Sequence, residues 1–99
     1  MDMEALMAQA QQLQEKVAAA QEELGHTHVK GIANSGACIA EMTCKYDIVG
    51  IQLREDVLAG GAAYVAQIVT DALRDAKAKA DQVIDKVMGA ATADMPMPN

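Results

Sequence analysis

Apolar side chains recur along residues 3–24 at alternating intervals of three and four: Met3, Leu6, Ala10, Leu13, Val17, Ala20 and Leu24. No Gly or Pro lies among them. The spacing predicts a long helix with a narrow apolar seam, the pattern one helix presents to another. Asp2 is placed to cap its first turn, Glu4 suits its positive end, and Gly25 marks an expected stop. The period then changes. Residues 26–33 are richer in β-branched side chains and read as a strand, and Asn34-Ser35-Gly36 is a turn signal. In the next run Cys38, Ala40, Met42, Cys44 and Tyr46 alternate with Ile39, Glu41, Thr43 and Lys45, which predicts a strand with one buried face. A tight turn near Tyr46-Asp47 leads to a third strand, with Val49, Ile51 and Leu53 expected on one side.

Residues 54–61 form a linker, with a short helical turn expected at 55–58 and a break at Gly60-Gly61. The helical period then returns over 62–88. Val65, Ile68, Val69, Ala72, Leu73, Ala76, Ala80, Val83, Ile84 and Val87 make a broad stripe, and Gly89 is the expected end. The predicted fold is α+β, in the order α-β-β-β-α. A three-stranded antiparallel meander lies between two long helices, with the second helix across the sheet from the first. Residues 1–89 make one domain, and 90–99, with Pro96 and Pro98, are expected to be a mobile tail.

Dimensions point to assembly. At about 1.5 Å per residue the helices run about 33 and 40 Å, whereas strands of this length reach about 25 Å. The overhanging helix ends still carry apolar residues. The chain also has no Phe or Trp and only two Tyr, so its core lacks the side chains that bury most area. A twofold partner that covers the overhangs and pairs an open sheet edge answers both deficits. Met3, Leu6, Ala10, Leu13 and Val17 are the expected homodimer interface.

Chemistry is sparse. No phosphate loop, Cys-x-x-Cys, HExxH or GxSxG occurs, so no enzyme activity and no cofactor are expected. His26 and His28 share a strand face but lack a third ligand, so no metal is expected. Cys38 and Cys44 sit too far apart on one strand to bridge and read as small core residues in a reducing cytoplasm. Asp2 and Glu4, with no apolar run behind them, fit no signal peptide, and no segment is long enough to span a membrane. Of the seven Met residues, Met1, Met95 and Met97 lie at the ends, and Met3, Met7, Met42 and Met88 are expected to pack as core fillers.

The net charge of −6 argues against a broadly basic nucleic-acid binder. Cations can still gather locally, and Arg74, Lys77 and Lys79 are the densest group, interleaved with Asp71, Asp75, Asp81 and Asp85. On pattern alone an ordinary salt-bridged helix surface accounts for them.

Certain residues carry a family likeness. The run Met7-Ala8-Gln9-Ala10-Gln11-Gln12-Leu13-Gln14-Glu15-Lys16, then Gln21-Glu22-Glu23-Leu24, resembles the first helix of the YbaB/EbfC family of bacterial nucleoid-associated proteins. Val29-Lys30-Gly31, Ser35-Gly36-Ala37, Val49-Gly50-Ile51 and Ile68-Val69-Thr70-Asp71-Ala72-Leu73-Arg74-Asp75-Ala76 are similar to its later elements. The likeness covers about residues 3–98. It implies an intertwined cytoplasmic homodimer whose helices project like tweezers and bind double-stranded DNA with broad or modest sequence preference. Nucleoid organisation and gene regulation follow, without catalysis, cofactor, membrane or small-molecule substrate. Two departures stand out: Arg74 replaces a common Asn, and the turn at Tyr46 is shorter than the usual Gly-containing hairpin. The expected DNA contacts are Arg74, Lys77 and Lys79, helped by Lys16 and Lys86. A dimeric adaptor that binds another protein, without direct DNA contact, is the second reading.

Overall fold

The computed structural model describes residues 2–92. It contains α1 (Met3–His26), β1 (His28–Ala33), β2 (Cys38–Thr43), β3 (Ile48–Leu53) and α2 (Ala62–Thr92), with the sheet ordered β1-β2-β3 and both pairings antiparallel. The α-β-β-β-α meander expected from the spacing is present. The described part extends 68 × 24 × 17 Å, a long and thin shape.

Asp2 caps α1 by accepting a hydrogen bond from the Glu4 N–H at 3.1 Å. Gly25 does not stop the helix; the chain stays helical through His26 and leaves at Thr27, which is extended. The Thr27 hydroxyl donates to the Glu23 carbonyl at 2.8 Å. The Cys44 N–H reaches the Leu24 and Thr27 carbonyls at 3.1 and 2.9 Å, which fastens the end of α1 to the sheet.

Burial along the seam is graded. Ala20 and Leu24 are buried, Leu13 and Val17 are half-buried, and Ala10, Leu6 (38%) and Met3 (71%) are exposed. Among the described residues, α1 meets the rest of the chain through its C-terminal part. It packs directly on α2, with Lys16, Ala19, Ala20 and Glu23 beside Val87, Ala90 and Ala91. The two helices are therefore neighbours at one end, not separated by the sheet. α2 continues through Gly89 to Thr92, because α1 lies alongside that segment; the rest of the expected tail, residues 93–99, lies outside the described residues.

The centre of the fold is the seat of α2 on β1. Ile68, Ala72, Ala76 and Ala80 form the buried stripe of α2. Their small size lets the helix approach the strand backbone closely. A Cβ at Gly31 would stand 2.0 Å from the Ala72 carbonyl oxygen and 2.3 Å from the Ala76 nitrogen. Around this seat lie Ala33, Ala37, Cys38, Ala40, Met42, Cys44 and Val57. Burial pushes the thiols of Cys38 and Cys44 up from their usual range, so neither is a ready nucleophile.

α2 covers mainly β1 and β2. Every residue of β3 is exposed. The pairing runs Ala40 with Ile51, Glu41 with Gly50, then Met42 with Ile48, so Val49 is an extra residue in the strand. This bulge corrects the expected face. Ile48, not Val49, joins Ile51 and Leu53 on the side of α2, since residues paired across a ladder share a face.

Gly31→Ala should destabilise the chain by more than the about 1–3 kcal/mol typical of overpacking, because backbone of α2 must retreat. Gly50→Ala meets nothing within 4 Å and should be near neutral. Thermal or urea unfolding of both variants checks the contrast.

Candidate nucleic-acid interface

The five expected DNA contacts fall into three places. Arg74 and Lys77 stand on one flank of α2, Lys79 on the other, and Lys16 and Lys86 at the junction of α1 with the end of α2. Helical rotation explains the first division. Each residue turns about 100°, so Lys79 lies about 140° from Arg74 although only five positions separate them.

Lys79 is occupied with the sheet. Its ammonium donates to the Lys30 carbonyl at 2.8 Å and pairs with Asp75 at 3.0 Å. Asp75 in turn accepts from the Ile32 N–H at 2.8 Å. One carboxylate and one ammonium thus satisfy outward-facing backbone groups of β1, the edge strand beneath α2. The Ile32 hydrogen bond, followed by Lys79, holds the Asp75 carboxyl below its usual range. Ile32 and Asp75 lie 43 residues apart in sequence, so this bond to the strand is not legible from spacing.

Lys77 pairs with Asp81 at 3.0 Å and lies 5.6 Å from the centre of the Tyr46 ring. The Tyr46 hydroxyl also donates to Asp81. That hydrogen bond first, and Lys77 second, hold the Asp81 carboxyl below its usual range. Tyr46 occupies the left-handed region, φ 68, at the tip of the β2–β3 turn. A bulky side chain there is strained, and its contacts with Asp81 and Lys77 offset the strain. The shorter hairpin noted in the sequence therefore closes without a glycine.

Arg74 has neither hydrogen bond nor ion pair among the described residues. It lines an open groove of about 330 Å³ with Met42, Tyr46, Ile48, Thr70, Leu73 and Lys77. The groove exists because α2 sits over β1 and β2 and leaves β3 uncovered. Lys86 borders a second crevice with Glu23, Thr27, Val83, Val87 and Ala90. Lys16 borders a third, which shares Glu23, Val87 and Ala90 with it. The arm that carries Lys16 also bears Asp2, Glu4, Glu15, Glu22 and Glu23, so its local field is negative.

The histidines do not share a strand face. His26 ends α1, while His28 Nδ1 lies 2.7 Å from the Glu41 carboxylate on the neighbouring strand. Among the described residues no three metal-ligating side chains converge, and no helix is long and apolar enough to cross a membrane.

The family model of the YbaB/EbfC DNA-binding family matches residues 1–95. A nucleoid-associated protein of Neisseria gonorrhoeae is 35% identical over 94 residues, 92% of this chain and 85% of the relative. One from Neisseria meningitidis serogroup B is 34% identical over the same shares. The crystal structure of an uncharacterized Helicobacter pylori protein superposes with a TM-score of 0.76 at 14% identity, covering 88% of this chain and 92% of that one, which is a likeness of fold.

Asp75 and Asp81 set an acid limit. A carboxyl held below its usual range stabilises the fold above that range, and the contribution is lost as pH falls through the depressed value. Stability should decline as pH falls below the usual carboxylate range, about 4. Asp75→Asn keeps an acceptor for Ile32 but removes the charge facing Lys79. It should lower stability at neutral pH and flatten the acid decline, as read from the melting temperature against pH.

Proposed function

Because this chain belongs to the YbaB/EbfC DNA-binding family, we propose that it is a nucleoid-associated protein that clamps duplex DNA as a homodimer. Its sequence preference is broad or modest, and its role is nucleoid organisation and gene regulation. The family match over residues 1–95 is the observation that carries this reading, and the nucleoid-associated relatives support it.

The geometry supports a dimer built on β3. β1 is closed by Asp75 and Lys79, whereas the outer edge of β3 has no such partner among the described residues. Ile48, Ile51 and Leu53 lie exposed beside that edge. Antiparallel addition of a second β3 would extend the sheet and shelter these side chains. In this reading the exposed seam residues Met3, Leu6 and Ala10, with Leu13 and Val17, are further interface between projecting arms.

Phosphate contacts fall to Arg74, Lys77 and Lys79, with Lys86 and Lys16 helping. Within its own subunit Arg74 has no ion pair to give up, among the described residues, when it enters such a contact. Lys77 and Lys79 would exchange an aspartate for a phosphate, and the loss of these exposed pairs offsets part of the gain. With a chain charge of −6, the long-range field opposes DNA and binding depends on these local groups.

About three phosphate contacts per subunit make about six per dimer, so affinity should fall about 10³-fold between 50 and 200 mM salt. Arg74→Ala, Lys77→Ala and Lys79→Ala together should weaken binding alike across sequences. A mobility-shift titration over salt measures both; a flat response contradicts the phosphate clamp. The apolar groove and acidic total favour a second reading, a dimeric protein-binding adaptor. Capture of a protein partner with no DNA shift at low salt would select it.

A further inference from the structure

The groove between α2 and the β2–β3 hairpin has an apolar floor of Met42, Ile48 and Leu73, and nothing among the described residues fills it. Elsewhere on the same chain stands an apolar group without a seat. The turn Glu55–Gly60 buries Val57 against the core but leaves Leu58 60% exposed. We propose that the Leu58 side chain of a second copy seats in this groove, so that each subunit completes the other's core. This rests on the homodimer proposed above, joined at the β3 edge.

Three observations lead there. First, the groove and the turn lie at opposite ends of β3: Ile48 borders the groove, and the turn begins two residues after Leu53. An antiparallel twofold pairing of β3 with its copy brings the Leu53 end of one strand beside the Ile48 end of the other. The turn of each subunit then arrives at the groove of its partner. Second, both features belong to the α2 side of the sheet. Ile48 pairs with Met42 on that side, and the turn packs on α2. Third, the charges agree in sign. The turn opens with Glu55 and Asp56; Asp56 is already paired with Arg54 at 2.6 Å, so Glu55 is the carboxylate left to face Arg74 and Lys77 on the rim of the groove. The sign match favours this chain's own turn over a basic peptide. The apolar floor explains why a leucine at position 58 is kept in water on the isolated subunit.

Leu58→Asp removes the apolar plug at a site the subunit itself leaves exposed, so the subunit fold should persist, as checked by circular dichroism. Sedimentation equilibrium of the full chain should show its dimer dissociation constant raised about tenfold or more, while Leu58→Met stays near wild type. A second measurement needs no loss of assembly. With Leu58 replaced by benzoylphenylalanine, irradiation of a mixture of isotopically light and heavy chains should couple position 58 of one chain to residue 42, 48, 70 or 73 of the other. A wild-type dimer that Leu58→Asp leaves unchanged, or cross-links confined to a single chain, overturns the Leu58 seat and leaves the homodimer standing. A wild-type chain that stays monomeric at every concentration overturns both.

Discussion

The close contact of α2 with the backbone of β1 is the constraint on which the rest depends. It needs Gly31 on the strand and Ala72, Ala76 and Ala80 on the helix, because no Cβ fits at position 31. The helix set this close to β1 lies over β1 and β2 and leaves β3 uncovered. Two consequences follow from that single placement. On the near side, Asp75 and Lys79 reach down to bond the exposed backbone of β1. On the far side, β3 keeps an open edge, exposed apolar side chains and a groove with an apolar floor. Small residues thus set the asymmetry of the sheet, and in the proposed homodimer the open edge of β3 is where a second copy would join.

The same placement sorts the charges. Arg74 and Lys77 face the open side, Lys79 the closed side, and Lys16 and Lys86 the root of the projecting arm. A chain with net charge −6 presents its cations in separate places, most of them beside a carboxylate. Such a surface suits short-range contact with phosphates after encounter better than long-range attraction. It agrees with broad, salt-sensitive DNA binding of the kind proposed for this YbaB/EbfC family member.

Much of the fold was legible in the sequence because it depends on local periodicity. The alternation from Cys38 to Cys44 marked the buried face of β2, and the Ala-rich stripe of α2 marked the side that meets the sheet. Asp2 acted as the expected cap. What escaped depends on distant groups. Gly25 looked like a helix stop, but Thr27 and the bond from Cys44 decide where α1 ends. The bulge at Val49 reflects how β3 pairs with β2, and no pattern within β3 announces it. The direct contact of α1 with α2 follows from the path of the chain through the sheet. For the candidate site, the three clustered cations were visible, but counting them along the chain hid their division between two flanks. A helical projection separates Arg74 from Lys79 and was the available signal. Nothing in the sequence indicated that Asp75 and Lys79 serve the edge of β1.

The central claim is that α2 closes one edge of the sheet and leaves the other for a second copy. Hydrogen–deuterium exchange measured at rising protein concentration tests it most directly. Outward-facing amides of β3, residues 48–53, should become slower to exchange as concentration rises, while those of β1, residues 28–33, stay unchanged. Exchange in β3 that is independent of concentration, or protection gained at β1 instead, would contradict the account.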